Sequence, residues 1–269
     1  MSRSAAAPDP AESAEALRLV PAVARAVMIL NHLADAPQNA TLAEIARALD
    51  LPKSSAHGLC QTLCALKVLR EERGQFSLGS AVLPWAGAVI GRKDLSGTFR
   101  MLLAEEPALT PFTVTLSVLD PSGSVLYLAC QNADVPLGIT FRIGMRLPWA
   151  YTATGKAIAA WLPDADLDRL VRDDWPEPLT PNSVATAAQL RAQLPAIRAR
   201  GYSIDREEVR EGMVCLGAAI IGPDGRPVAG AALSMTATEA RPEMIDRAGG
   251  AIAAFAQKFS AMSGLFAGL

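Results

Sequence analysis

The sequence predicts an α+β protein with an N-terminal winged helix-turn-helix and a C-terminal domain in which antiparallel strands carry helices. Two observations lead to this prediction. Near the N-terminus, apolar residues recur at helical spacing, and a tight turn separates two of the resulting helices. In the rest of the chain, pairs of strand-like segments flank turns that contain Gly or Pro, and helical stretches lie between these hairpins.

Composition limits the functions that the chain can have. It has 269 residues, of which 51% are hydrophobic and 19% are charged, so cores can form and disorder is not expected over most of the chain. The formal net charge is −2, and residues 1–79 carry eight Lys and Arg against eight Asp and Glu. Contact with nucleic acid must therefore come from the local placement of charge rather than from an overall basic bias.

The chain reads as a cytoplasmic protein without a cofactor. Residues 1–17 lack the apolar core of a signal peptide and are expected to form a flexible polar arm. No apolar stretch of about 18 residues is free of Pro, Gly or charge, so no membrane span is predicted. The scattered cysteines indicate no disulfide framework. They are Cys60, Cys64, Cys130 and Cys215.

Residues 18–79 contain the predicted winged helix-turn-helix. A first helix is expected over residues 21–34, and its apolar stripe consists of Val23, Val27, Leu30 and Leu33. A second helix begins at Thr41, which stands three residues before Glu44 in capping-box spacing. It ends near Asp50, because the following Pro52 disfavours a helical residue before it. Its predicted buried stripe consists of Leu42, Ile45, Ala46 and Leu49.

A third helix is expected to begin at Lys53 or Ser54, where serines can cap it, and Leu59, Leu63 and Leu66 would line its inner face. Beyond it, apolar residues flank a turn at Gly74, which predicts a hairpin wing. Hydroxyls, amides and cations at a helix start can contact phosphates and base edges, although the same positions could simply be solvated. The residues predicted to contact DNA are Thr41, Lys53, Ser54, Ser55, His57, Gln61 and Arg73.

Three runs in this part, VARAVMILNHLADA, LAEIARALDLPKSSAHGLCQTL and FSLG, resemble the DNA-binding domain of the IclR (isocitrate lyase regulator) family of bacterial transcription regulators. The family pattern is a helix-turn-helix reading LAEIA…GLPKSTA and a wing ending in Y-x-LG. The resemblance implies a double-stranded operator as partner. Many members carry Arg where this chain has Gly58, and glycine inside a helix costs roughly 1 kcal/mol relative to Ala. The departure also removes a candidate DNA contact.

Residues 80–95 are predicted to form a linker helix despite Pro84. The resemblance implies that this segment joins the two domains and helps to form a homodimer or homotetramer. A helix buried in the second domain is the alternative. Val82, Trp85 and Val89 are candidates for either role.

Residues 96–269 are assigned to an effector-binding domain. TVTLSVLD and SVLYLAC flank a turn at Pro121-Ser122-Gly123, and MVCLGAAII and VAGAALSMT flank GPDGRP. Between these hairpins lie the predicted helices TATGKAIAAWL, DADLDRLV and AAQLRAQLPAIRAR, the last of which is ended by Gly201. A final helix is expected from Pro242 to Phe259, with Pro in an allowed first-turn position.

The runs LPWAYTATGKAIAAWL, IRARGYSIDREEVREGMVCLGAAI and GRPVAGAALSM extend the resemblance to roughly residues 20–260. It implies a GAF-like fold with an effector cup. The helix start at Thr152–Gly155 favours an anionic group, and Ser234 and Thr236 share one strand face. The predicted effector is a small organic acid, with aromatic acids included. The predicted effector-binding residues are Leu147, Trp149, Tyr151, Thr152, Ala153, Thr154, Gly155, Asp205, Cys215, Ser234 and Thr236.

Several of these residues and motifs also allow other interpretations. Trp149 and Tyr151 could equally be core residues, and Ser234 and Thr236 ordinary strand hydroxyls. TATGKA ends like a P-loop but lacks its first Gly and its Ser or Thr, so it is excluded. Cys60 and Cys64 with His57 do not make a zinc set. An enzyme that uses Cys215 as nucleophile is one alternative function, but it would lack a nearby histidine to act as base. A ligand-binding module without DNA recognition is the other alternative.

Overall fold

A computed structural model describes residues 20–35, 38–90, 95–120, 123–134, 137, 139–172 and 175–262. The chain divides into two compact units between Ala88 and Val89. The predicted arm over residues 1–17 lies outside the described residues, as do two residues of the predicted turn at 121–123. Over these described ranges, no helix has the length and apolar character needed to cross a membrane.

The N-terminal unit has the predicted winged helix-turn-helix. Its short β1 strand, which the sequence did not predict, pairs with β3, and β3 pairs with β2, so that the antiparallel wing has the order β1-β3-β2. The elements are α1 (Pro21–Asp35), β1 (Ala40–Thr41), α2 (Leu42–Ala48), α3 (Lys53–Ala65), β2 (Leu69–Glu72) and β3 (Gln75–Leu78), and α4 (Val82–Ile90) follows across the division between the units.

The core of this unit shows two errors in the predicted helix faces. In α1 the core side is formed by Ile29 and Leu33, whereas Val23 and Val27 are exposed. The predicted stripe is therefore correct at Leu30 and Leu33, which pack in or against the core, and wrong at Val23 and Val27. In α3 the buried residues are Ala56, Cys60 and Leu63, while Leu66 follows the helix as its C-cap and is exposed.

Local signals at the helix starts gave one correct and one incorrect prediction. The capping box is present, since the Thr41 hydroxyl accepts from the Glu44 N–H and the Glu44 carboxylate accepts from the Thr41 N–H. Helix α3, by contrast, has Pro52 as N-cap and no side-chain cap. The helix begins at Lys53, which places Ser54 and Ser55 inside the first turn, where their hydroxyls do not cap it.

The C-terminal unit is a six-stranded antiparallel sheet of order β6-β5-β4-β9-β8-β7 with helices on both faces. Helix α8 ends as predicted at Gly201, which has a left-handed φ of 82°. The elements are α5 (Leu95–Ala104), a 3-10 turn (Pro107–Leu109), β4 (Thr113–Asp120), β5 (Ser124–Gln131), β6 (Arg146–Pro148), α6 (Ala153–Trp161), α7 (Asp164–Arg172), α8 (Ala187–Arg200), β7 (Ser203–Arg206), β8 (Met213–Ile221), β9 (Pro227–Thr236) and α9 (Pro242–Met262).

The two faces of this sheet have separate cores, because successive strand residues point to opposite sides. Leu216 packs on the face covered by α5 and α9, together with Phe99 and Phe255. Its neighbour Cys215 packs on the other face, which α6, α7 and α8 cover. The polar residues that the sequence singled out on β7, β8 and β9 are therefore brought to the face beneath α6.

Candidate functional site

A cavity of about 10 Å³, room for about one water molecule, lies between this face of the sheet and the start of α6. Its floor follows the strand register, in which Asp205 of β7 lies opposite Cys215 of β8, and Cys215 lies opposite Ser234 of β9. The sheet thus aligns three polar side chains from three strands. The remaining lining residues are Thr115, Tyr127, Phe141, Thr152, Ala153, Thr154, Val209, Met213 and Ala232.

The cavity brings together about half of the predicted effector residues. These are Thr152, Ala153, Thr154, Asp205, Cys215 and Ser234. Sequence reasoning did not single out Thr115 or Tyr127, although their strand positions could have indicated this face. Phe141 and Val209 come from segments outside the strands and helices, where no periodic pattern identifies the direction of a side chain.

The other predicted residues lie outside the cavity lining. Trp149 is buried and packs against the Trp175 ring at 6.1 Å, while the Tyr151 hydroxyl donates to the Pro176 carbonyl. Leu147 packs at the edge of the same core. The Thr236 hydroxyl donates to the Glu239 carboxylate at 2.6 Å, in the turn after β9.

The start of α6 is held close to the sheet by glycines. Thr152 caps the helix, since its hydroxyl accepts from the Gly155 N–H at 3.0 Å. A Cβ on Gly155 would lie 2.0 Å from the Trp149 carbonyl oxygen, and one on Gly217 would lie 2.5 Å from the Ala153 carbonyl carbon. Only glycine permits this approach, which places the positive end of the helix dipole at the cavity wall.

Three buried charged residues, Lys156, Asp205 and Glu208, form a cluster that includes Asp205 of the cavity floor. The Asp205 Oδ1 atom accepts from the Glu208 N–H at 2.7 Å and from the Val209 N–H at 3.4 Å. Lys156, which is fully buried, donates to the Ile204 carbonyl oxygen at 2.6 Å and to the Glu208 carboxylate. Within the described residues, Asp205 Oδ2 and Glu208 Oε2 have no hydrogen-bond partner. Lys156, part of the excluded P-loop pattern, therefore belongs to a buried ion pair.

Burial controls the protonation of the groups in the floor. It raises the pKa of Asp205 to about 7, an effect that Lys156 opposes and Glu208 reinforces. Burial also raises the pKa of the Cys215 thiol well above its usual range, with a further contribution from Asp205. The Cys215 Sγ atom lies 3.1 Å from the Ser234 Oγ atom. A protonated thiol in this setting is a poor nucleophile, so the floor is suited to binding rather than to covalent chemistry.

The predicted DNA-contacting residues lie mainly on the outer side of α3. Lys53, Ser54 and His57 are exposed there, and Ser55 is half-buried. Gln61 is also exposed, and its side-chain amide donates to the Glu71 carboxylate of the wing at 3.2 Å. The remaining two predicted residues, Thr41 and Arg73, differ in whether the side chain is available to contact DNA. Arg73 is exposed at the wing turn, whereas the Thr41 hydroxyl is engaged in the capping box.

One feature of this surface, the acidic residues of the wing, was not predicted. The wing strand β2 carries exposed Glu71 and Glu72, which would oppose DNA phosphates in their vicinity, and Arg70 pairs with Glu72 at 3.2 Å. Cys60 is buried in α3, and burial raises its pKa to about 11. In the part of the chain that the structure describes, no group of His, Cys, Asp and Glu could hold a metal ion.

Gly58 has room for a side chain. It is exposed on α3, and a Cβ there would meet nothing within 4 Å. We expect Gly58→Ala to raise the free energy of unfolding by about 1 kcal/mol, because alanine loses less conformational entropy in a helix. Thermal unfolding measures the change.

The matched control is Gly212→Ala, which also has open space around it but has a φ of 80°. Alanine there should destabilise the protein, because its Cβ is strained in the left-handed region. If Gly58→Ala instead lowers the free energy of unfolding, the prediction is wrong, and the backbone conformation at position 58 requires glycine.

Two family descriptions match this chain. Residues 22–73 match the IclR helix-turn-helix domain, and residues 87–261 match the C-terminal domain of bacterial IclR transcriptional regulators. The chain is 28% identical to the HTH-type transcriptional regulator XynR of Escherichia coli strain K12, over 80% of this chain and 86% of XynR. It is 31% identical to the regulator BhcR of Paracoccus denitrificans, over 79% of this chain and 76% of BhcR.

Solved structures give the same result. The crystal structure of the Agobacterium tumefaciens repressor BlcR is 44% identical in sequence, with a TM-score of 0.60, and the match covers 91% of this chain and 98% of BlcR. Thermotoga maritima IclR is 25% identical, with a TM-score of 0.74, over 91% of this chain and 99% of that protein. The relatives named here are regulators of transcription, and none is described as an enzyme.

Proposed function

Because the chain belongs to the IclR family of bacterial transcriptional regulators, we propose that a small organic acid in the C-terminal cavity controls DNA binding by the N-terminal unit. The protein is a ligand-responsive DNA-binding regulator rather than an enzyme. As a DNA-binding regulator, it is expected to act in the cytoplasm. Acid binding would change the population of protein states that fit the operator.

The observation that supports an acid is the pairing of a helix start with a hydroxyl-rich floor. The cavity combines the N-terminal end of α6, which includes the Thr154 hydroxyl, with the hydroxyls of Thr115 and Ser234 on the sheet. Backbone N–H groups at a helix start and the helix dipole favour an anion. The cavity of about 10 Å³ is far smaller than the roughly 300–1,000 Å³ of sites for drug-sized ligands, so the side chains that line it must move apart to admit even a small acid.

Exposed apolar side chains support the proposal that the regulator is a homodimer or a homotetramer. Val23 and Val27 of α1 are exposed, as are Leu83 and Trp85 of α4. Such residues are typical of surfaces that pair with another copy. A symmetric dimer would place two copies of α3 in successive major grooves, about 34 Å apart.

The test is to titrate the complex of the protein with its operator DNA with acetate, butyrate, benzoate and 4-hydroxybenzoate, and to follow fluorescence anisotropy. We expect at least one acid to shift DNA binding, and Ser234→Ala to weaken that response. The matching neutral amides serve as controls, because they keep the shape of each acid and lack its charge. A response to the amides but not to the acids would contradict the proposed ligand class.

A further inference from the structure

The cavity contains a carboxylate but, among the described residues, no cation. Asp205 is 1% exposed and lines the floor. The nearest buried cation, Lys156, is turned towards Glu208 and the Ile204 carbonyl instead. A bound organic acid would therefore place its carboxylate in the same cavity as Asp205, and two ionised carboxylates in a buried site repel each other strongly.

We infer that Asp205 binds the effector in its protonated form and donates a hydrogen bond from Oδ2 to the carboxylate of the ligand. The inference rests on the proposed function, since it concerns how the same cavity holds an acid. The Oδ1 atom already accepts two backbone N–H groups, so the proton belongs on Oδ2, the oxygen that has no partner among the described residues. The proton comes from solvent, so binding takes up about one proton at pH 8, where Asp205 is mostly ionised in the free protein, and almost none at pH 6.

Burial is the main reason that Asp205 favours this proton. Lys156 of α6 is paired with Glu208, the segment after β7 contributes Glu208, β8 contributes Cys215 and β5 contributes Tyr127. The Lys156–Glu208 pair is neutral as a unit, and burial raises the pKa values of Cys215 and Tyr127, which keeps both uncharged. Burial, reinforced by the Glu208 charge, raises the pKa of Asp205 to about 7, although the Lys156 charge and the two backbone N–H groups on Oδ1 favour the ionised form.

A first test needs no ligand. The pKa of Asp205 is raised in the folded protein, so its ionisation destabilises the fold. This loss of stability begins as the pH rises above the unfolded pKa of about 3.9 and is complete once the pH has passed the folded pKa. Asp205→Asn keeps the Oδ1 acceptor and has no charge, so its melting temperature should rise relative to wild type between pH 4.5 and pH 8. Asp224→Asn, in the exposed β8–β9 turn, should show no such trend.

A second test measures the proton directly. Isothermal titration calorimetry with the four acids, in phosphate and in Tris, gives the protons taken up per acid bound. Wild type should take up about one proton at pH 8 and bind about tenfold more weakly than at pH 6, because Asp205 is then mostly ionised. Asp205→Asn should bind acid without proton uptake and without this pH dependence.

The outcomes separate this inference from the proposed function. Wild-type binding of an acid with no proton uptake at pH 8, and with equal affinity at pH 6 and pH 8, would overturn the role of Asp205 and leave the acid effector in place. Binding of none of the four acids to wild type at pH 6 would overturn the acid effector and, with it, this inference.

Discussion

Replacing Lys156 by Met is expected to lower the free energy of unfolding by about 3–5 kcal/mol, the usual cost of breaking a buried ion pair. Lys156 is fully buried and Glu208 nearly so. Methionine fills most of the lysine volume but leaves the Glu208 carboxylate buried without its cation. Urea unfolding measures the change, and the effector site should be lost together with the stability.

The double variant Lys156→Met with Glu208→Gln is the matched control. It removes both charges together, so no buried carboxylate is left uncompensated at position 208, and most of the lost stability should return. A loss below about 1 kcal/mol in the single variant would contradict a buried pair, because exposed pairs contribute only about that much.

Replacing both Lys53 and Ser54 by Ala is expected to weaken operator binding by about tenfold. The slope of the logarithm of the binding constant against the logarithm of the salt concentration should fall by the amount expected for the loss of about one phosphate contact. Both residues are exposed on the first turn of α3. Acid affinity should be nearly unchanged, since the cavity belongs to the other compact unit. Anisotropy over a salt series and calorimetry measure the two effects.

Lys258→Ala provides the control, because it removes the same charge from α9 in the other unit. Operator binding by this variant should match wild type. Equal loss of DNA and acid binding in the Lys53 and Ser54 double variant would instead indicate unfolding, and would remove the support for a recognition surface on α3.

The winged helix-turn-helix could be predicted in detail because its signals are local. The spacing of Thr41 and Glu44 and the position of Pro52 define helix ends within a few residues. The core face of α1 could not be predicted in this way. Two apolar stripes lie side by side on that helix, and only packing against the rest of the unit selects Ile29 over Val27.

The cavity could be predicted only in part. Resemblance to the family located Asp205, Cys215 and Ser234, and the strand register aligns them. The pairing of Lys156 with Glu208 joins residues 52 positions apart, and no local pattern indicates it. The same limit applies to Phe141, whose place in the lining depends on how its segment folds over the sheet.

The proposed function depends on recognition of a specific DNA site by this protein. The most direct measurement is fluorescence anisotropy with DNA from upstream of its own gene and with scrambled DNA, over a series of salt concentrations. We predict tight binding that prefers the upstream DNA and weakens as salt increases, with a slope that counts the phosphate contacts. Equally weak binding to both DNAs at every salt concentration would contradict the claim and would favour a ligand-binding protein without specific DNA recognition.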